Sequence, residues 1–228
     1  MLICGIIYKA MHQINILIHV LAGTVALLVG LVALLVASKY RWHVRFGRVF
    51  VWTMVPVIVT GLAGVFVFQR NSFLLVITVL SGYTCFAGVR TLKLRGKSPE
   101  WIDIVVPVCA MVCGFYYLHY LFSNGHYWAP VVTVSGVGAL FLITVYDLSR
   151  SFMPADFRKK AMLYEHVYKM MSSLTGLVSA FSGTVLPQYK PYSQVVPNVV
   201  SLVCTLFVFI SIYNNRRSQR NVILHSSR

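Results

Sequence analysis

Seven apolar runs of membrane-spanning length, joined by short connections, leave this chain of 228 residues little else to fold into. They read as helices over about Gln13–Ala37, Arg48–Phe68, Ser72–Leu92, Trp101–Phe122, Trp128–Leu148, Ala161–Leu186 and Gln194–Tyr213. A helix needs roughly 20 apolar residues to cross a bilayer, and it satisfies its backbone hydrogen bonds within its own segment, as the hydrocarbon requires. The connections have no room for a soluble domain. A hydrophobic share of 58% with 11% charged residues lies outside the range of soluble domains. The expected fold is therefore all-α, a polytopic transmembrane seven-helix bundle forming a single domain over residues 1–228.

The formal net charge of +15 would suggest nucleic acid in a soluble protein. Here the basic residues sit between the apolar runs, so no nucleic-acid partner is expected. Sixteen of the twenty lie in one alternate set of connections, including Lys39, Arg41, Arg45, Arg48, Arg90, Lys93, Arg150 and Arg158. The other set holds only Lys9, Arg70 and Lys190, and Lys169 falls inside a helix. By the positive-inside rule the N-terminus is out and the C-terminus in. The basic rim then faces anionic lipid headgroups at the inner surface. The basic cluster follows the first long run, which is the wrong order for a cleaved signal peptide.

Within the first helix, His12, Asn15, His19, Gly23, Ala26, Gly30, Ala33 and Ala37 recur every three or four residues and so form one stripe. Small residues let membrane helices approach closely and polar ones hydrogen-bond across, so this stripe reads as a packing face. In the sixth helix Ser172 or Ser173, Gly176, Ala180 and Gly183 continue a face begun by His166 and Met170. Glu165 and Lys169 stand at i and i+4 in the favourable order for an ion pair. Pro56 and Pro107 are candidate helix breaks. The third and fifth helices share a T-V-(x)-S-G entry, at Thr78–Gly82 and Thr133–Gly136, which hints at a repeated hairpin. Cys109 and Cys113, one turn apart, read as small apolar core residues, and no zinc spacing occurs.

The stretch from His19 through Gly23 and Gly30, the loop His43-Val-Arg-Phe-Gly47-Arg48-Val-Phe50, and the late Leu163-Tyr-Glu-His166-Val-Tyr-Lys-Met170 run ending in Ser179-Ala180-Phe181 go together. In order and spacing they resemble an uncharacterised bacterial multi-pass membrane-protein family, a domain of unknown function. The resemblance covers about His12 to Leu186 and departs from the family at Phe50, where a tyrosine is common. It implies a bacterial cytoplasmic (inner) membrane location and no transferable reaction. The family's distant likeness to two-haem membrane cytochromes is an analogy of fold.

Ionisable groups inside membrane helices are functional-site hypotheses by default. One reading is a membrane redox module with haem b, because imidazole is a haem ligand and a haem held by two histidines needs both at one depth on facing helices. His19 with His119, assisted by His12 or His126, would form an outer group. His166 with His43, or with Met170, would form an inner one. Gly23, Gly30, Gly176 and Gly183 would admit a porphyrin face. No metal is expected apart from haem iron. A second reading is a proton-coupled transporter or proton relay using Asp147, Glu165, His166 and Lys169. A third is a non-catalytic accessory or assembly subunit, with a membrane-protein partner or a homo-oligomer. Whether the chain is an enzyme stays open.

Overall fold

The computed structural model describes residues 2–68, 73–124 and 130–226. Arg70, His126, Trp128 and Arg228 lie outside the described residues. Among the described residues seven α-helices follow one another: α1 (Leu2–Leu35), α2 (Tyr40–Phe66), α3 (Phe73–Leu94), α4 (Ile102–Asn124), α5 (Pro130–Ser149), α6 (Ala155–Val185) and α7 (Tyr192–Ser226). Short 3-10 turns, Arg150–Phe152 and Pro187–Tyr189, precede α6 and α7. Among the described residues there is no strand.

Several helices outrun their apolar stretches. α1 begins at Leu2 instead of near Gln13, α2 at Tyr40 instead of Arg48, α6 at Ala155 instead of Ala161, and α7 continues past Tyr213. Apolar length marks the part suited to hydrocarbon, whereas helical hydrogen bonding continues into regions where charged side chains reach water. Pro56 and Pro107 do not end their helices, since both lie inside continuous helical segments. At Pro56, Thr53 and Thr60 place hydroxyls on nearby backbone carbonyls, Thr53 on Val49 and Thr60 on Pro56 itself.

The centre of the bundle is α3, which packs against α2, α4, α5 and α6, while α6 also meets α1 and α7. The stripe on α1 is buried at Ala26, Gly30 and Ala33, where α1 packs on α2 and α6. Ala26 is fully buried, and a Cβ on Gly30 would stand 2.8 Å from Leu174 and 2.9 Å from Phe50. Near the other end of the stripe, Asn15 donates to the Thr60 carbonyl. Gly82 of α3 serves the same purpose against Ile58 of α2. Apolar side chains also cover the outside, including Leu17, Leu21 and Leu28 of α1 and Leu206, Phe207 and Ile210 of α7. Exposed apolar surface on this scale marks a lipid-facing protein. Five helices, α1, α2, α3, α4 and α7, are long and apolar enough to cross a membrane, as in a multi-pass membrane protein. The remaining two, α5 and α6, carry Asp147, Glu165 and Lys169.

Candidate functional site

At the end of the bundle where α3 and α5 finish and α6 begins, the chain buries two acids and two bases together. The centre is Lys169, whose side chain is 2% exposed and whose Nζ lies 2.6 Å from Asp147 Oδ1. The same ammonium donates to Thr91 Oγ1 at 3.2 Å and stands 3.8 Å from Glu165 Oε2. The expected pairing of Glu165 with Lys169 along one helix is present, but the tighter partner comes from α5. Asp147 also accepts a 2.5 Å hydrogen bond from Tyr83. Glu165 accepts from Tyr146 at 2.7 Å and lies 3.3 Å from Arg150 Nε. That last approach is an ion pair off the hydrogen-bonding line. The Nε and one terminal nitrogen of Arg150 have no hydrogen-bond acceptor among the described residues.

A buried charge left alone is costly; the hydrogen-bonded Lys169–Asp147 pair offsets that cost, and Arg150 stands beside Glu165 as a looser ion pair. The helices position the set: Thr91 and Tyr83 from α3, Tyr146 and Asp147 from α5, Glu165 and Lys169 one turn apart on α6. Beside it lies a second ion cluster. Arg90 grips Asp103 through two 2.7 Å bonds and reaches Glu100 at 2.8 Å. Glu100 is exposed, with 61% of its side-chain surface open. A cavity of about 20 Å³ lies between the clusters, lined by Arg90, Asp103, Asp147, Arg150 and Lys169 among others. That is room for about one water.

The histidines divide between this end and the other. His43 and His166 come together, with ring centres 6.4 Å apart and planes at 86°. The Nδ1 of His43 bonds to the Ala33 carbonyl and that of His166 to the Gly88 carbonyl, both at 2.9 Å. A carbonyl only accepts, so each Nδ1 carries its hydrogen, and in a neutral ring Nε2 is then bare. His166 therefore leaves the face shared by Glu165 and Lys169 and turns toward α2 and α3. At the opposite end His19 bonds Thr60 Oγ1 at 2.9 Å within the α1–α2 contact, and His12 lies against Phe68. His119 is exposed on α4, which packs on α3 and α5. The structure does not bring His19 and His119 together.

His43 and His166 meet edge to face, with each Nδ1 already bonded to a backbone carbonyl. The surrounding space does not suit a porphyrin. Met170 Sδ would be 2.8 Å from a Cβ on Gly88, Phe50 and Leu174 fill the side of Gly30, Ser81 fills that of Gly176, and Gln194 that of Gly183. Of the four glycines expected to admit a haem face, Gly23 alone has open space beside it. These glycines serve helix packing here, and haem does not fit this packing. Among the described residues no three His, Cys, Asp or Glu side chains converge as metal ligands.

Sequence reasoning passed over Tyr83, Thr91, Tyr146 and Arg150, the groups that complete the network. A hydroxyl in an apolar run carries no sign of its partner, and Arg150 counted only toward orientation. No family model matches the chain, nor does any curated protein or solved structure.

Proposed function

We propose that this chain is a proton-linked transport protein spanning the bacterial inner membrane seven times, N-terminus outside and basic end inside, with Asp147, Lys169 and Glu165 as its proton-binding centre. The observation that carries the reading is Lys169 held between two carboxylates, 2.6 Å from one and 3.8 Å from the other. A proton arriving on Asp147 weakens its hold on the ammonium, which has Glu165 to turn to. The tyrosines keep each carboxylate bonded in both arrangements. Glu100, Arg90, Asp103 and the one-water cavity provide the approach from the basic rim. Buried carboxylate chains facing a polar interior are how membrane proteins pass protons.

The test is proton flux in vesicles reconstituted with the full chain and a trapped pH dye, driven by an imposed pH gradient. Wild type is expected to dissipate the gradient, and Asp147→Asn to fall to the rate of protein-free vesicles while remaining folded. Wild-type flux no faster than empty vesicles would remove the reading.

The approach of His43 and His166 favours a second reading, a membrane redox module, in which haem would enter only if the packing around Gly30 and Gly88 opened. Its test uses the same preparation, scanned oxidised and dithionite-reduced. No sharp reduced bands are expected, given the filled glycine faces. Bands present in wild type and lost in His166→Ala would replace the proton reading with the redox one.

A further inference from the structure

One face of α2 carries a pattern that the ion network does not use. Arg41, Arg45, Arg48, Trp52, Val55 and Val59 recur at alternate spacings of four and three, so they form a single stripe along the helix. All six are exposed, Trp52 at 75%. The opposite side of the helix is the buried one, through Phe50, Met54 and Val57. Along the stripe the chemistry changes in order, from three guanidiniums to an indole to branched apolar side chains. From Arg45 to Val59 it rises about 21 Å.

Basic residues at a membrane surface usually stand in water and serve orientation alone. Two features set these three apart. The first is that they lack a counter-charge. Four of the five acids, Glu100, Asp103, Asp147 and Glu165, lie in ion pairs with Arg90, Arg150 and Lys169, and among the described residues no carboxylate is within ion-pair distance of Arg41, Arg45 or Arg48. Like charges one turn apart on a helix repel, and an anion between them relieves that repulsion. The second feature is that Arg45 is held in place. Its guanidinium lies 5.6 Å from the centre of the Trp42 ring, which stacks on Phe46 with ring centres 5.9 Å apart. A guanidinium stacked by its face keeps its edge N–H groups for a planar fork onto phosphate. His43, bonded to the Ala33 carbonyl, ties this turn of α2 to the end of α1.

We propose that this face of α2 holds one anionic phospholipid, with its phosphate on Arg45 and Arg48, its glycerol level with Trp52, and one chain along Val55 and Val59. The order of groups along the stripe is the order of groups along such a lipid. Tryptophan is the side chain that membrane proteins place at headgroup level, and Trp52 stands where the charged part of the stripe gives way to the apolar part. A soluble phosphate would engage the arginines and leave the rest of the stripe out. The inference is separate from the proton reading, because lipid retention needs no gradient.

Native mass spectrometry of the full chain tests it, with the protein released from detergent containing equal amounts of phosphatidylglycerol and phosphatidylcholine of matched chains. One retained phosphatidylglycerol per chain is expected, in preference to phosphatidylcholine. Arg45→Gln/Arg48→Gln is expected to weaken retention about thirtyfold, roughly fivefold for each basic residue removed from the lipid surface. Lys93→Gln/Lys97→Gln removes the same charge from exposed positions elsewhere on the basic end and is expected to leave retention unchanged. All four side chains are exposed, so neither variant threatens the fold. Equal losses in the two variants would mean that the basic end acts only through its total charge, and would overturn the proposal. So would retention without preference for phosphatidylglycerol, or a two-chain mass that the α2 variant alone splits, which would make a second copy of the chain the occupant of this face.

Discussion

Lys169→Met is expected to destabilise the protein by ~3–5 kcal/mol, the range for removing one partner from a buried ion pair. The methionine fills nearly the same volume, so the loss is electrostatic and not a cavity. Without the ammonium, among the described residues Asp147 keeps the Tyr83 hydroxyl and Glu165 keeps Tyr146, Thr91 and the misaligned Arg150. Two carboxylates would then share one buried region with one guanidinium. The double variant Asp147→Asn/Lys169→Met is expected to be more stable than the sum of its single variants predicts, because it removes the orphaned charge together with its partner. Coupling between groups in direct contact runs on the order of 0.5–3 kcal/mol. Denaturant titration in detergent, followed by circular dichroism, measures all three proteins. A single-variant cost below about 1 kcal/mol would instead fit an ammonium that escapes to the membrane surface along its flexible stem.

The contrast between Lys169 and its helix neighbours shows what the sequence could and could not convey. Contacts repeated along one helix were legible, because spacing alone determines them. The α1 stripe from His12 to Ala33 faces its neighbouring helices, and Glu165 with Lys169 is an i, i+4 pair. Contacts between helices were not legible in the same way. Nothing in the spacing says that Asp147, twenty-two residues from Lys169, supplies the closer carboxylate. The same limit separates the histidines. Depth along the helices was enough to sort His43 and His166 to one end, but lateral position was needed to see that His119 faces outward on α4 while His19 is occupied by Thr60 of α2.

The glycines show a related gap. Their spacing announced a close approach without saying what approaches, and the answer is Phe50, Leu174, Ser81 and Gln194 in place of a flat cofactor. A cavity between α3, α5, α6 and α7, lined by apolar side chains and hydroxyls, had one sequence signal that went unused. Ser81 and Ser135 are the serines of the two T-V-(x)-S-G entries in α3 and α5, and both line it. Read only as a repeat, the motif hid its chemistry. Read as two hydroxyls on facing helices, it points to a shared polar space.

Arg158→Leu is the second large effect expected, at about 3 kcal/mol or more, and its reason differs from that of Lys169. The sequence counts Arg158 only as one of many basic residues at the rim. It is 6% exposed, and its guanidinium donates to the carbonyls of Gly96, Arg150 and Met153 and to Ser98 Oγ. Those acceptors belong to the connection after α3 and the turn after α5, so one side chain ties both to the start of α6. The carbonyls lie just beyond the C-terminal ends of those helices, where the backbone is electronegative and favours a cation. Gly96 is held at a φ of +79°, and a Cβ there would overlap Lys159. The connection therefore has little freedom to reach other donors once the guanidinium is gone. Leucine leaves the Gly96 and Met153 carbonyls short of a donor, while that of Arg150 keeps the Met153 N–H, at about 1–3 kcal/mol for each one that stays buried, discounted where water reaches them. Arg158→Lys is expected to recover only part of the loss, because an ammonium is a single point and cannot fork across acceptors on two connections. Unfolding curves of the two variants check the order. A lysine variant as stable as wild type would mean that charge alone holds this end together, and the forked hydrogen bonds would lose their role.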